Sequence, residues 1–397
     1  MRRLLTTLIA ALALAGCTGT FTPPLPTLYL VFQDAGDGEP ARVALLDFVV
    51  TATERRLDLL TADAYRFDAG ESLIAIDVMD RSERKEVWVL TASGPASRAV
   101  RVHRLDLRSL PDLPGTTLTR IGAPLTLTDE DGAWVGFASG SAVPTGCISG
   151  LVVAAAGDAL ALWDAGSDGR CGPGVGDPRV HLLDLTNVTA GAPIAEARAP
   201  GVRGGDVDLE RANRLLLVRR PAVGDPDELR VAAVGFRDAV PPPLGAGVAV
   251  VGLLDVAGVP GGFAALRRVN ADSARVVELH TFAGEAPTTR EMPANAGALY
   301  VDESGALSTL LTTGANRIGV TYPDEAKARE VSFDARDLTI DPLNAYALAV
   351  RPGGLCVIDL LVPSTASSCD LTIEPDVRNA LPHARFVTWT FAEPAAP

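Results

Sequence analysis

The sequence alternates short apolar runs with polar segments rich in glycine and proline, and the apolar runs have the length of β-strands. Seven of these runs are similar to one another. Most begin with arginine, continue with four or five mainly apolar residues, and in four copies reach an aspartate. The copies start at Arg42, Arg101, Arg179, Arg230, Arg275, Arg317 and Gly354. Self-similarity of this kind along a chain indicates a repeat architecture.

A second apolar run precedes each copy, and a turn-forming loop separates the two, so each unit contains a hairpin. The preceding runs cover residues 28–32, 87–90, 159–163, 215–218, 263–266, 307–311 and 346–350. A third run that ends in an acidic turn lies further upstream in most units, for example at 206–210, 298–302 and 337–341. The unit is therefore a small antiparallel sheet.

The spacing of the copies predicts an all-β fold of the β-propeller type, most simply with seven blades. Successive copies lie 37 to 78 residues apart, and periods near 40 to 50 residues with several short strands are typical of propeller blades. A blade packs between two neighbours, so its strands can be apolar on both faces, as in residues 28–32. The longest step contains residues 125–150, which we interpret either as an insertion or as an eighth blade.

The two ends of the chain are expected to complete one blade. The first unit begins with its second strand and lacks the first, and residues 385–391 have the alternating pattern of a strand. If this C-terminal segment joins the N-terminal unit, the ring closes and the exposed sheet edge is removed.

Two segments resemble a known group of repeats. Residues 206–218 and 346–359, the latter including Gly354-Leu-Cys-Val-Ile-Asp359, are similar to the YVTN-type repeats of bacterial β-propellers. This resemblance covers most of the chain after residue 26. It implies a lactonase-like propeller domain, and it implies as one alternative an enzyme of the lactonase or lyase type with a divalent metal near the central channel.

The N-terminus has the pattern of an export signal. Arg2 and Arg3 precede an apolar run from residue 4 to 15, which is too short to span a bilayer permanently. The run ends in Leu14-Ala-Gly-Cys17, which resembles the lipobox of bacterial lipoproteins. The resemblance implies cleavage before Cys17, lipidation of that cysteine and, because Thr18 rather than aspartate follows, an address in the outer membrane.

These patterns divide the chain into three parts. Residues 1–16 form a lipoprotein signal peptide, residues 17–26 form the lipidated cysteine with a flexible Pro- and Thr-rich stalk, and residues 27–397 form a single propeller domain. The formal net charge of the whole chain is −14, and it becomes −16 without the signal peptide. Repulsion from phosphate groups then disfavours nucleic acid and anionic lipid as partners, so the membrane is reached through the lipid anchor only.

Four cysteines follow Cys17, namely Cys147, Cys171, Cys356 and Cys369. An even number in an exported chain indicates two disulfides, and three pairings are compatible with the sequence. We favour Cys147 with Cys171 and Cys356 with Cys369, because each pair closes a short loop. None of the spacings is that of a zinc site.

One loop has the composition of a calcium site. Asp164, Asp168 and Asp177 lie in a glycine-rich segment, and closely spaced carboxylates with inward-turning carbonyls are the ligands that Ca²⁺ prefers. The alternative is an acidic loop braced by a disulfide. Asp34 lies in a second, weaker acidic loop between the strands of the first unit. No other cofactor is indicated.

The ionisable residues of the repeat are expected to be structural. His103 and His181 occupy a repeat position where other units have alanine or cysteine, which indicates a packing slot. The aspartates at the end of four copies are interpreted as turn residues, because aspartate side chains bond nearby backbone amides; they are Asp47, Asp106, Asp184 and Asp359.

The sequence contains no catalytic serine elbow, zinc-protease motif or phosphate-binding loop, so no catalytic residue is named. We therefore expect a monomeric, non-enzymatic binding or scaffolding propeller of the cell envelope, which holds a protein or glycan partner on the loop-bearing face of the ring. Enzymatic activity stays open as the alternative.

Overall fold

The fold was analysed in a computed structural model of the full chain. It describes residues 27–36, 38–50, 55–81, 84–94, 98–108, 117–135, 148–154, 157–164, 179–185, 195–200, 209–210, 214–219, 228–235, 247–259, 261–269, 274–281, 284–292, 296–301, 310–314, 317–321, 329–331, 337–340, 346–351, 354–359, 377 and 380–391. These residues form strands and turns with almost no helix, which confirms the all-β prediction.

In the described residues, twenty-eight strands assemble into seven antiparallel sheets. In hydrogen-bonding order, the first sheet contains β28 (Ala384–Phe391), β1 (Thr27–Gln33), β2 (Arg42–Val50) and β3 (Arg55–Arg66). The second contains β4 (Ser72–Arg81), β5 (Arg84–Ser93), β6 (Ala99–Asp106) and β7 (Thr119–Arg120), with β8 (Leu125–Thr126) also paired to β6. The third contains β9 (Ile148–Val153), β10 (Ala159–Asp164), β11 (Arg179–Asp184) and β12 (Ala195–Pro200).

The remaining sheets follow the same order along the chain. The fourth contains β13 (Leu209–Glu210), β14 (Arg214–Arg219), β15 (Glu228–Gly235) and β16 (Val248–Val251). The fifth contains β17 (Leu253–Val259), β18 (Gly262–Arg268), β19 (Arg275–Thr281) and β20 (Thr288–Met292). The sixth contains β21 (Ala296–Val301), β22 (Leu310–Gly314), β23 (Arg317–Thr321) and β24 (Arg329–Val331), and the seventh contains β25 (Asp337–Ile340), β26 (Tyr346–Arg351) and β27 (Gly354–Asp359).

The repeated sequence motif marks the same place in every sheet. All seven copies form strands, and each is the third strand of its sheet in hydrogen-bonding order. The apolar run before each copy forms the second strand and pairs with it as an antiparallel hairpin, as Val31 pairs with Ala44 and Val89 with His103. The hairpin prediction is therefore confirmed.

The predicted number of blades, seven with eight as the alternative, is wrong when complete blades are counted. Five sheets have the four strands of a regular propeller blade, whereas the second sheet has five strands and the seventh has three. The region interpreted as an eighth blade makes no sheet of its own in its described part. Residues 125–126 pair with β6 of the second sheet, and residues 148–153 already belong to the third sheet.

The C-terminal strand completes the first sheet, as the sequence predicted. β28 pairs along its whole length with β1, with Leu30 opposite Thr388 and Val31 opposite Val387. β28 thereby occupies the first position of the sheet, which β4, β9, β13, β17, β21 and β25 occupy in the others. The closure prediction is confirmed because the missing strand of the first unit comes from the other end of the chain.

Apolar side chains fill the spaces between neighbouring sheets. Leu30 and Phe32 of β1 pack with Leu73 and Val89 of the second sheet. The alternate residues of β1, including Val31, pack against the seventh sheet. Both faces of the strand are thus covered, and residues 28–32 are at most 1% exposed. Each buried side chain of this size contributes about 1.5–3 kcal/mol to stability, so sheet stacking provides the core.

Further clusters join the second sheet to the third, the fourth to the fifth and the fifth to the sixth. These contacts and the ring closure define the arrangement of a β-propeller. Within the described part of the chain, no helix has the length and apolarity that crossing a membrane requires. The segments predicted to form the signal peptide and the stalk, with Cys17, lie outside the described residues.

Candidate functional site

Three aspartates on first strands hold neighbouring sheets together. Asp77 of β4 accepts a hydrogen bond from the backbone N–H of Val153 in the third sheet, with 2.6 Å between the two atoms. Asp255 of β17 accepts one from Leu299 in the sixth sheet. We call this arrangement an aspartate clasp, because one side chain bonds the first strand of the next sheet.

The third clasp closes the ring. Asp337 of β25 accepts a hydrogen bond from the N–H of Val387 in β28, with 2.8 Å between Oδ2 and the nitrogen. Burial raises the pKa of Asp337 to about 7, although hydrogen bonds from the amides of Val387 and Leu338 act in the opposite direction. The carboxyl group at the closing seam can therefore change its protonation state near neutral pH.

Two of the three clasps share a local geometry and a sequence pattern that accompanies it. In Asp77 and Asp255 the second carboxylate oxygen accepts the N–H of the following residue, at 2.9 Å and 2.8 Å. The corresponding sequences are Ile76-Asp-Val78 and Leu254-Asp-Val256, an aspartate between two apolar residues on a first strand. We did not single out these two aspartates from the sequence, although an acidic residue inside an apolar strand is the signal that would have found them.

A cleft lies where the first and second sheets meet. Its volume is about 510 Å³, and it opens at the ends of the sheets where β28 and β4 begin. Three ionisable residues contribute to its wall, together with apolar side chains and loop backbone. The lining residues are Asp34, Ala35, Ile74, Pro382, His383, Ala384, Arg385 and Phe386.

Asp34 organises this cleft by bonding three separate segments. Its Oδ1 atom accepts the backbone N–H groups of Ala35 and of Leu73, at 3.1 Å and 3.0 Å. Its Oδ2 atom accepts a hydrogen bond from Nη1 of Arg385 at 2.6 Å. The residue therefore joins the β1–β2 hairpin, the start of β4 and the start of β28. Interpreting its loop as a calcium site is not needed to explain the position of Asp34.

Arg385 is the most exposed charged group of this set. One third of its side chain, 34%, is exposed, and its guanidinium carbon lies 5.2 Å from the centre of the Phe386 ring. On the neighbouring loop the ring of His383 packs so close to Gly36 that no side chain would fit there. The wall of the cleft thus combines a cation, an aromatic ring and a tightly packed loop.

A buried ionic cluster lies between the same two sheets. Glu71 and His103 are both nearly inaccessible, and His103 Nε2 lies 2.9 Å from Glu71 Oε2. This contact is an ion pair when the imidazole of His103 is protonated. Burial acts to raise the pKa of Glu71, but His103 and the charge of Arg101 outweigh it and lower that pKa. The ring of Phe67 packs edge-on against His103.

The two repeat-position histidines are buried, in agreement with the packing interpretation. His103 and His181 are 0% exposed, and aromatic rings pack on both, with Trp134 against His181. The residues at the same register position in other sheets, such as Ala44 and Cys356, are also buried. This position accepts small or ring-shaped side chains because it faces the neighbouring sheet.

The repeated aspartates follow the turn interpretation only in part. Asp106 ends β6 and accepts the backbone N–H of Arg108 at 2.9 Å, as a turn residue does. Asp47 lies inside β2 instead, opposite Asp58, and burial together with the charge of Asp58 raises its pKa. Asp184 and Asp359 are the last residues of β11 and β27.

The predicted calcium site and most of the cysteines lie outside the described part of the chain. Asp164 is the last residue of β10, and Asp168 and Asp177 fall in the segment that follows. Cys147, Cys171 and Cys369 are also outside the described residues. Cys356 is buried and disulfide-bonded, but which cysteine is its partner stays a prediction. In the described ranges no group of three or more histidine, cysteine, aspartate or glutamate side chains could hold a metal ion.

Comparison with known proteins supports the fold. No family model matches the sequence, and no curated protein matches it. A proposed 6-phosphogluconolactonase from Bacteroides fragilis superposes with a TM-score of 0.53 and 9% identity, over 93% of this chain and 99% of that one. A protein from Lactobacillus plantarum gives a TM-score of 0.51 and 13% identity, over 92% of this chain and 100% of that one.

AztD from Citrobacter koseri, in its apo form, gives a TM-score of 0.44 and 16% identity, over 85% of this chain and 79% of that one. The strand order, the stacking of the sheets and the first two superpositions define the chain as a β-propeller protein. The first two superpositions agree with the propeller fold that the repeats predicted.

Proposed function

We propose that this protein is a cell-envelope lipoprotein whose propeller binds a protein or glycan partner at the cleft between the first and second sheets. The observation that supports this proposal is the cleft itself. Its volume of about 510 Å³ falls in the range of ligand sites, roughly 300–1,000 Å³, and Asp34, His383 and Arg385 supply the kind of polar groups that orient a ligand in such sites.

The use of the ionisable residues favours binding over catalysis. A general base needs a lone pair that can take a proton from the substrate. Three of the roughly four lone pairs of the Asp34 carboxylate already accept hydrogen bonds, from Ala35, Leu73 and Arg385, so most of its acceptor capacity holds the wall of the cleft together. His383 packs against the loop at Gly36. Since these groups position the walls, the cleft is suited to recognition.

Attachment to the outer membrane through Cys17 is part of the same proposal. The apolar run and the small residues before Cys17 support it, and the stalk of residues 18–26 would separate the propeller from the membrane surface. In a Cys17→Ser variant we expect the protein to leave the membrane fraction and appear in soluble fractions, as followed by immunoblotting. Continued membrane association of that variant would contradict lipidation as the tether.

Capture of the envelope partner tests the role of the cleft. Ala35 is exposed on the β1–β2 hairpin and lines the cleft, so Ala35→Trp fills the space without removing any of the bonds of Asp34. Ala274 is exposed in the equivalent hairpin of the fifth sheet, which makes Ala274→Trp the matched control. We expect pull-down from envelope extracts to lose the partner with Ala35→Trp only. Equal capture by both variants would exclude this cleft.

A lactonase or lyase with a divalent metal near the central channel is the second candidate. Its support is the superposition on the proposed 6-phosphogluconolactonase over nearly the whole of both chains. Hydrolysis of 6-phosphogluconolactone and of simple lactones, measured with added Mg²⁺ or Ca²⁺ and again with EDTA, tests it. Turnover that EDTA abolishes would favour the enzyme, and turnover at the uncatalysed rate under all conditions would favour the binding protein.

A further inference from the structure

We propose that the cleft recognises a carboxylate group on its ligand, and that the guanidinium of Arg385 is the group that binds it. This inference rests on the proposed function, since it assigns a chemical class to the ligand of the same cleft. It depends on how many hydrogen-bond donors Arg385 has and how few of them the protein uses.

Arg385 keeps most of its donors for a ligand. A guanidinium carries five N–H donors, and among the described residues only Nη1 is engaged, by Asp34 at 2.6 Å. The face of its guanidinium also packs on the Phe386 ring. The Nε and Nη2 atoms form one edge of the guanidinium. This edge can donate two parallel hydrogen bonds to the two oxygens of a carboxylate. That edge has no hydrogen bond to any described residue.

Two contacts restrict the movement of the guanidinium before a ligand arrives. Asp34 holds it from one side, and the Phe386 ring lies against it at 5.2 Å. Asp34 is itself fixed by the backbone of Ala35 and Leu73. Because the donor group is positioned in advance, the arginine side chain loses less conformational entropy when a ligand binds than a freely rotating arginine would.

The charge of the protein determines how such a ligand can be attracted. The chain carries a formal net charge of −14, so an anion gains no long-range attraction from it. Binding must then depend on directed hydrogen bonds at short range, together with apolar contact to Ile74 and Pro382. We therefore expect affinity for a carboxylate to depend strongly on the shape of the cation and only weakly on salt concentration.

Matched probes test this inference. The first pair is galacturonate and galactose, and the second is N-acetyl-alanyl-alanine and its C-terminal amide, each measured on the mature protein by ligand-observed NMR in a buffer without carboxylates. We expect the acidic member of one pair to bind at least tenfold more tightly than the neutral member. The pair that responds distinguishes a sugar carboxylate from a peptide C-terminus as the source of the group.

Two variants connect the binding to the cleft. Arg385→Lys keeps the positive charge and can still pair with Asp34, but it lacks the planar edge, so we expect at least a tenfold loss of affinity for the acidic probe. Ala35→Trp keeps both Arg385 and Asp34 and should also abolish binding, whereas Ala274→Trp should not. Thermal unfolding of each variant establishes that the fold is retained.

The outcomes separate this inference from the proposed function. If acidic and neutral probes bind equally or not at all while Ala35→Trp still abolishes capture of the envelope partner, the carboxylate inference is wrong and the binding cleft stands. If acidic probes bind but Arg385→Lys leaves their affinity unchanged, another group recognises them, and the assignment to Arg385 is wrong. If neither capture nor probe binding responds to Ala35→Trp, both proposals fail.

Discussion

Replacing Asp337 by a side chain that cannot ionise gives the sharpest test of how the ring is held together, because Asp337 lies where the last sheet meets the first. Asp337 in β25 accepts the N–H of Val387 in β28, and β28 is the strand that the C-terminus adds to the first sheet. In Asp337→Asn the amide oxygen can still accept the hydrogen bond from Val387. The variant, however, cannot titrate. The pH dependence of the difference in stability between the two proteins therefore isolates the proton on Asp337, whereas loss of the hydrogen bond from the amide of Leu338 contributes equally at every pH.

The sign of the effect follows from the direction of the pKa shift. Burial raises the pKa of Asp337 from 3.8 to about 7 in the folded state. Between these two values the folded protein binds a proton that the unfolded chain does not, so the contribution of this group is fully present below about pH 4 and is lost as the pH rises through about 7. A difference of roughly three pKa units corresponds to about 4 kcal/mol as an upper estimate.

Urea-induced unfolding of both proteins between pH 4.5 and 8.5 provides the measurement. We expect the free energy of unfolding of wild type, minus that of Asp337→Asn, to fall by up to about 3 kcal/mol across this range, which covers most of the full effect. Subtraction is necessary because Glu71 and Asp63, whose pKa values are lowered, contribute stability that disappears as the pH falls. Glu285→Gln, at an exposed position, controls for the loss of one negative charge. A difference that does not change with pH would refute the reasoning.

Three further predictions concern other contacts of the fold, each measured by thermal and urea unfolding. Asp34→Ala removes the acceptor for Leu73 and the partner of Arg385, so we expect a loss of about 2–3 kcal/mol, with Asp34→Asn losing less; equal losses would contradict the hydrogen-bond account. Glu71→Ala leaves the buried side chain of His103 without its carboxylate partner, so we expect the free energy of unfolding to fall by about 1–3 kcal/mol. An unchanged midpoint of thermal unfolding would contradict this expectation. In Gly262→Ala the new methyl group collides with the backbone of His280, so we expect a loss above about 3 kcal/mol or failure to fold, and a stable variant would show that the two strands can separate.

The repeat was readable from the sequence because each unit must satisfy the same local requirement. Strands that are covered on both faces become apolar at consecutive positions, and the hairpins between them need turn residues, so the pattern recurs along the chain. All seven copies form strands, and residues 28–32 are buried on both faces. Pairing of β28 with β1 followed from the same reasoning, since one unit lacked a strand and one unassigned strand was left over.

The number of strands in each sheet could not be read in this way. An outer strand of a blade is only partly covered, so its sequence lacks the apolar signature, and strands such as β7 and β8 are only two residues long. Seven motifs therefore predict seven complete blades, whereas in the described residues five sheets have four strands. The long step between the second and third copies was interpreted as an insertion or an eighth blade, but residues 125–126 simply extend the second sheet.

The sequence by itself determined the fold class, the hairpin repeat and the closure of the chain, because these depend on local patterns of burial. Only the tertiary structure decided the cleft and the clasps. Arg385 and Asp34 are 351 residues apart in sequence, and Asp337 meets Val387 across 50 residues. Such contacts arise from the stacking of sheets. No local pattern records which polar side chains that stacking brings together.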